Sequence, residues 1–126
     1  MINQFKKICI YIYMDYIKDL EHYNNIISEN KNKTLLFFCS LSFCVPCKSI
    51  HPYIEELISN NKNDDFKFFK IVVDELDDND EEKIKNILNL NGKKFPFFIL
   101  MKDDCIIYEL DGKSYQELPQ IIEMLQ

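Results

Sequence analysis

The chain has 126 residues, of which 47% are hydrophobic and 29% are charged, and its formal net charge at pH 7 is −6. This length suits one domain with its own core, the aromatic residues argue against intrinsic disorder, and the negative charge disfavours a nucleic-acid partner. The longest apolar runs, Ile8–Met14 and Phe95–Met101, have seven residues each, far short of the roughly 20 that a membrane-spanning helix needs.

The first half of the chain alternates between strand-like and helix-like segments. Ile8–Tyr16 is rich in Ile and Tyr and predicts a strand, and Asp19–Glu29 spaces its apolar residues as an amphipathic helix does. Thr34–Ser40 is a continuous apolar run, which predicts a strand buried on both faces. The next predicted helix, Cys47–Ser59, contains Pro52, which we expect to kink it.

The second half continues this alternation and then closes with a hairpin. Phe66–Val73 predicts a strand and Asp80–Leu90 predicts a helix whose inward residues include Ile87. Phe95–Met101 and Ile106–Leu110 are separated by a short polar link, which predicts two antiparallel strands. The sequence from Ser114 to Glu117 reads as a capping box that opens the last helix.

The resulting order, β-α-β-α-β-α-β-β-α, places the chain in the α/β class. Helical crossovers join parallel strands and the hairpin adds antiparallel ones, so we expect a mixed central sheet with helices on both faces. Residues 1–10 are an N-terminal extension or the start of the first strand, and residues 11–126 form the domain. The segment Met1–Met14 weakly resembles a signal peptide, but no small-residue cleavage site follows it. We therefore expect a cytoplasmic protein.

The closest pair of cysteines, Cys44 and Cys47, lies between a predicted buried strand and a predicted helix. The free N–H groups of a helix start stabilise a thiolate, so Cys44 is the expected nucleophile. Two intervening residues bring the second thiol within one helical turn, where Cys47 can resolve a mixed disulfide. Pro46 suits the first positions of a helix and stiffens the loop. The pattern predicts a redox-active dithiol.

Two other interpretations of these cysteines remain open at this point. A zinc site would have only His51 and Cys39 as nearby additional ligands, and the thiols could also be chemically idle packing residues. His51 itself is either a surface histidine or a group that passes a proton. The remaining cysteines are expected to be packing residues: Cys9, Cys39 and Cys105.

At these residues the chain resembles the thioredoxin family. The segment from Phe43 to Lys48, FCVPCK, is similar to that family's WCGPCK signature. Pro52 matches the proline of the active-site helix, and Asp74 matches the acidic residue that closes the central strand. The segment Phe95–Phe97 matches the one that holds a cis-proline, and Gly112 matches the glycine after the final strand. The resemblance covers all but about the first ten residues and implies a thioredoxin fold with a five-stranded sheet and about four helices.

The resemblance also implies roles for individual residues. Cys44 and Cys47 become the catalytic dithiol, and Lys70 matches a lysine near the buried thiol and is a candidate proton or charge partner. Pro96 becomes a cis-proline that places the Phe95 backbone beside a bound peptide. The expected substrate-binding residues are Phe43, Val45, Pro46, Phe95 and Pro96.

Three positions depart from the family pattern. Phe38 stands where the family usually has a buried Asp that accepts the proton of the resolving thiol, and a phenyl ring cannot accept one. Water, Lys70 or His51 then accepts this proton, or the second step is slower. Phe43 replaces a Trp, and Val45 replaces a Gly inside the motif, where the intervening residues tune the redox potential.

These residues together predict a thioredoxin-like protein-disulfide reductase that binds no cofactor and no metal. Its expected partners are disulfide-containing proteins and a flavin- or glutathione-linked reductase that regenerates the dithiol, and we expect a monomer. Phe38 and Val45 keep two alternatives open: a disulfide oxidase or isomerase of a secretory compartment, and a thioredoxin-fold adaptor with weak redox activity.

Overall fold

A five-stranded sheet organises residues 14–126, the part of the chain that this computed structural model describes. The strand order is β1-β3-β2-β4-β5, with β3 parallel to β1 and β2, and β4 antiparallel to β2 and β5. The strands are β1 (Asp15–Tyr16), β2 (Thr34–Ser40), β3 (Phe66–Val72), β4 (Phe97–Lys102) and β5 (Cys105–Asp111). The predicted mixed sheet is confirmed. Cys9, residues 1–10 and most of the predicted first strand lie outside the described residues.

Within residues 14–126, three α-helices and one 3-10 helix connect these strands, and a second 3-10 helix and a fourth α-helix follow β5. Asp19 and Asp77 cap the first and third α-helices, since their side chains accept hydrogen bonds from the N–H groups of His22 and Asp80. Because of its cap, the third helix starts two residues earlier than predicted. The α-helices are α1 (Leu20–Glu29), α2 (Val45–Asn60), α3 (Asp78–Ile87) and α4 (Leu118–Met124), and the 3-10 helices span Val73–Glu75 and Gly112–Glu117.

The predicted capping box at Ser114 is wrong. Ser114 lies inside the second 3-10 helix with φ −101° and ψ 20°, and α4 begins only at Leu118. The carboxylate of Asp111 accepts the N–H of Lys113 and caps this earlier turn. The chain therefore turns before Ser114 can open an α-helix, and α4 starts without a side-chain cap, with Pro119 in its first turn.

The core forms one layer on each face of the sheet, because alternate residues of a strand point to opposite sides. All seven residues of β2 are buried, as its continuous apolar run predicts. Phe37 belongs to the layer under α1 and α3, whereas Phe38 belongs to the layer under α2 and α4. The inward position predicted for Ile87 is wrong, since 41% of this residue is exposed at the end of α3.

The closing hairpin begins at Phe97, two residues later than predicted. The preceding peptide bond, between Phe95 and Pro96, is cis, and proline has no N–H to offer a neighbouring strand. Asp103 and Asp104 both have positive φ, 51° and 63°, as a two-residue turn between right-handed twisted strands requires. Among the helices of residues 14–126, none combines the length and apolar character that crossing a membrane requires.

Candidate redox site

The site begins where β2 ends and α2 starts. Cys44 is the N-cap residue of α2, and the backbone N–H of Cys47 donates a hydrogen bond to the Cys44 sulfur across 3.2 Å. The two sulfurs are joined as a disulfide. The structure thus places the pair at the predicted strand–helix junction, with the free N–H groups of the helix start facing Cys44.

The two cysteines differ in how far solvent reaches them. Cys44 is half buried, whereas only 2% of Cys47 is exposed. On either side of Cys44, Phe43 is 91% exposed and Val45 is 71% exposed. An approaching molecule can therefore contact Cys44 between two exposed apolar side chains, but it cannot contact Cys47 directly.

The loop that carries the cis peptide bond packs against the cysteine pair. The Cys44 sulfur lies 3.7 Å from the carbonyl oxygen of Phe95. The N–H of Gly112 donates to the carbonyl oxygen of Pro96 at 3.0 Å. A Cβ atom at position 112 would lie 2.6 Å from Pro96 Cγ, so only glycine lets the two backbones approach this closely.

A surface groove of about 390 Å³ runs beside this loop. Three of the predicted substrate-binding residues, Pro46, Phe95 and Pro96, line the groove, with Lys94 and Lys113 also on its walls. Phe43 and Val45 are not among its lining residues and instead stand exposed at the cysteine pair. The aromatic residues of β4 do not contribute, because Phe97 and Phe98 are buried in the core.

Behind the cysteine pair lies a chain of three polar side chains. The ammonium nitrogen of Lys70, a residue with 8% exposure, is 2.8 Å from Nδ1 of His51. Nε2 of His51 is 3.3 Å from a carboxylate oxygen of Glu55. Lys70 and His51 are among the residues predicted from the sequence, whereas Glu55 is not, although its i,i+4 spacing from His51 signals this contact.

Aromatic rings enclose the Lys70 ammonium. It lies 5.0 Å from the centre of the Phe38 ring and 5.4 Å from that of Tyr16. Phe38 is fully buried, stacks on Phe98 at 5.2 Å between ring centres, and pairs with Lys70 in the register of β2 and β3. Burial lowers the pKa of Lys70, against the opposing effect of the carboxylates of Glu55 and Glu75.

A second polar contact anchors the loop that precedes Cys44. One carboxylate oxygen of Asp74 accepts the backbone N–H of Ser42 at 2.9 Å, and the other accepts the Ser42 hydroxyl. The hydroxyl hydrogen bond lowers the pKa of Asp74 below its ordinary value. Asp74, in the 3-10 helix that follows β3, therefore links this part of the chain to the loop before Cys44.

The other described cysteines lie apart from this site. Cys39 is free and fully buried, as expected of a packing residue, and burial raises the pKa of its thiol. Cys105 is free but exposed, so its predicted packing role is wrong. Within residues 14–126, no group of three or more His, Cys, Asp or Glu side chains is placed to hold a metal ion.

The thioredoxin family model matches residues 16–124. The chain belongs to the thioredoxin family. Thioredoxin H2 of Arabidopsis thaliana is 32% identical over 105 residues, which are 83% of this chain and 71% of that protein. Thioredoxin AMT13 of Alternaria alternata is 28% identical over 106 residues, covering 84% of this chain and 81% of that protein.

Solved structures show the same fold. Thioredoxin of Schistosoma mansoni has a TM-score of 0.75 at 23% identity and covers 92% of this chain and 98% of its own. Thioredoxin f2 in complex with ferredoxin:thioredoxin reductase has a TM-score of 0.73 at 23% identity, over 91% of this chain and 96% of that one. The predicted thioredoxin fold is confirmed. Family membership and the Cys44–Cys47 pair make the protein a thioredoxin-like thiol–disulfide oxidoreductase.

Proposed function

We propose that this thioredoxin-like protein reduces disulfide bonds in other proteins, with Cys44 as the attacking thiolate and Cys47 as the resolving thiol. The observation that carries the assignment is their unequal exposure: Cys44 is half buried, whereas Cys47 is 2% exposed. A substrate disulfide can reach the first sulfur only, and the N–H of Cys47 stabilises negative charge on it.

The reaction transfers two electrons in two exchange steps. The Cys44 thiolate attacks one substrate sulfur, a mixed disulfide forms, and the other substrate sulfur leaves as a thiolate that takes a proton from water. The Cys47 thiol then loses its proton and attacks Cys44, which releases the second substrate sulfur. The substrate is reduced to a dithiol, and the protein ends in the disulfide form that this structure shows.

The substrate segment lies in the groove beside the cis-proline loop and against Phe43 and Val45. The Phe95 carbonyl, 3.7 Å from the Cys44 sulfur, can accept an N–H from an extended chain next to the reacting sulfur. The exposed apolar surface of Phe43 and the groove walls at Pro46 and Pro96 supply contacts for flanking side chains. The binding is therefore mainly to backbone and apolar groups.

A flavin- or glutathione-linked reductase returns the protein to its dithiol form in this proposal. The complex of thioredoxin f2 with ferredoxin:thioredoxin reductase supports docking of a reductase on this fold, and the flavin or glutathione link is part of the proposal. The chain works as a monomer in the cytoplasm and carries no cofactor of its own, because both electrons reside in the two cysteine thiols.

The reduction potential of the Cys44–Cys47 pair tests the proposal. The protein is equilibrated in graded thiol–disulfide buffers and alkylated, and the mass reports the oxidised fraction. Cys105→Ser serves as the control, because it removes the exposed free thiol without touching the pair. A value near about −270 mV, as in thioredoxin, supports an electron donor.

The second candidate is an oxidase or isomerase, which two observations favour. Val45 stands exposed between the cysteines, and Phe38 occupies the buried position beside Lys70. A potential between about −180 and −120 mV would support this second role and contradict the first. A pair that exchanges with no test disulfide would contradict both and favour an adaptor that binds through the groove.

A further inference from the structure

The groove beside the cis-proline loop carries positive charge on its walls. Lys94 precedes Phe95, whose carbonyl oxygen lies 3.7 Å from the Cys44 sulfur, and Lys113 lines the groove from the second 3-10 helix. Both lysines are exposed, and among residues 14–126 neither of their ammonium groups forms an ion pair. The two charges are therefore available to a molecule that enters the groove.

The neighbouring charged groups are engaged within the protein. The ammonium nitrogen of Lys93 lies 3.7 Å from a carboxylate oxygen of Glu109 and 5.4 Å from the centre of the Phe97 ring. Asp111 also lines the groove, but its carboxylate accepts the N–H of Lys113 at 2.9 Å and caps the 3-10 helix. The groove walls thus combine two unpaired ammonium groups with one carboxylate that already has a hydrogen-bond partner, and their net charge is positive.

This local charge is opposite in sign to that of the whole chain, which has 21 acidic residues, 15 basic residues and a net charge of −6. Neither of the two segments that form the site, residues 41–54 and residues 88–102, contains Asp or Glu. Carboxylates that contact these segments are held by partners: Asp74 by Ser42, Glu55 by His51 and Glu109 by Lys93. An acidic protein therefore presents a positively charged groove next to its reactive sulfur.

An acidic side chain of a bound substrate would lie close to these lysines. The Phe95 carbonyl stands beside the reacting Cys44 sulfur, and Lys94 is the adjacent residue. An extended peptide advances only about 3.3 Å per residue, so a carboxylate within about three residues of the substrate cysteine can pair with Lys94 or, further along the groove, with Lys113.

Resting on the proposed reductase function, we propose that Lys94 and Lys113 select substrate proteins whose disulfide lies in an acidic extended segment. Such a segment carries Asp or Glu within about three residues of the attacked cysteine. The lysines attract this carboxylate and hold it in the groove, whereas a substrate with Lys at the same place is repelled. Backbone and apolar contacts hold any bound segment, and the two charges decide which segment is preferred.

Three peptides test this selection with the reduced full-length protein. Each peptide has the same intramolecular disulfide, and the peptides differ only at the residues two positions outside the two cysteines, which are both Glu, both Gln or both Lys. Chromatography of the reduced peptide gives the second-order rate of reduction. At low salt we expect the Glu peptide to react roughly fivefold or more faster than the Lys peptide, with the Gln peptide between them. At about 0.5 M salt the ratio should fall towards one, because ions screen exposed charges.

The variant that carries both Lys94→Gln and Lys113→Gln should lower this ratio to less than about twofold. The ratio is taken within each protein, so any change in the reactivity of Cys44 cancels. The matched control carries Lys62→Gln and Lys83→Gln, which remove the same two charges from exposed positions in the loop before β3 and on α3. Neither of these lysines lines the groove, and the control should keep the wild-type ratio.

The possible results separate failure of this inference from failure of the proposed function. Reduction of all three peptides at equal rates at low salt would overturn the selection and leave the reductase function standing. The same holds for a wild-type ratio in the Lys94 and Lys113 variant, or an equal loss of the ratio in the control, which would show an effect of total charge. If the wild type reduces none of the peptides, the proposed function fails and this inference fails with it.

Discussion

The backbone N–H of Cys47 points at the sulfur of Cys44 and donates a hydrogen bond to it across 3.2 Å. Because Cys44 is also the N-cap of α2, the same contact opens the helix and stabilises negative charge at its first sulfur. In the proposed reaction this contact stabilises the Cys44 thiolate, and Cys47, which is 2% exposed, is the resolving thiol. The two cysteines are therefore chemically unequal although they stand only three positions apart.

This inequality predicts different outcomes for the two cysteine variants. Cys44→Ser should abolish turnover of a protein disulfide, because no exposed nucleophile remains. Cys47→Ser should attack the substrate once and then accumulate as a mixed disulfide through Cys44. Non-reducing mass spectrometry after incubation with a disulfide substrate checks both outcomes. Cys105→Ser is the control and should reduce the substrate normally. A trapped adduct on Cys105 in the Cys47→Ser variant would contradict the assignment of Cys44 as the nucleophile.

Gly112→Ala should destabilise the protein by about 1–3 kcal/mol, because the added methyl group overlaps the Pro96 ring and carbonyl. The same change should slow substrate reduction, since it displaces the loop that lies 3.7 Å from the Cys44 sulfur. Urea unfolding and a turnover assay measure the two effects. Lys113→Ala, at the neighbouring exposed position, is the control and should retain wild-type stability. Equal stability of the two variants would show that the close approach is unimportant.

Asp74→Asn should loosen the loop before Cys44, because it removes the charged acceptor of the Ser42 hydrogen bonds. The pKa of Asp74 is lowered in the folded protein, so its ionised carboxylate stabilises the folded state at pH values above the carboxyl pKa of the unfolded chain. This stabilisation is lost as pH falls below about 4. The stability difference from wild type should be at most about 1 kcal/mol at pH 7, since the site is exposed, and should shrink towards pH 2.

Denaturant unfolding at several pH values measures this difference. Asp64→Asn is a suitable control, because Asp64 is an exposed carboxylate in the loop before β3. A stability difference that stays constant from pH 7 to pH 2 would argue against a contribution from the ionised Asp74 carboxylate.

Lys70→Met should change how stability depends on alkaline pH. Burial lowers the pKa of Lys70 below its ordinary value of 10.5, so the folded state releases this proton before the unfolded state does. The wild type should therefore gain stability relative to Lys70→Met as pH rises from the folded value towards about 10.5. Below that window the cost of the buried charge is fully present. Paired unfolding curves at pH 7 to 10.5 check the sign, and a relative loss of stability would refute it.

The continuous apolar run of β2 was predicted in full, from Thr34 to Ser40, because a strand buried on both faces needs apolar residues at every position. Two predictions from local sequence patterns were wrong, one at Ser114 and one at Ile87. Ser114 has the spacing of a capping box. However, the carboxylate of Asp111, three positions before Ser114, accepts the N–H of Lys113 and caps the 3-10 helix. The periodicity of α3 likewise pointed Ile87 inward, whereas the helix ends there with the residue 41% exposed.

The sequence by itself determined the redox chemistry, because two thiols three residues apart at a helix start need only local geometry to react. Only the tertiary structure decided what surrounds them. Lys70 meets His51 from 19 positions away, and the Phe95 carbonyl reaches Cys44 from 51 positions away. These contacts follow from the order and register of the strands, which depend on burying both faces of the sheet at once. That requirement is a property of the whole chain, and no local pattern carries it.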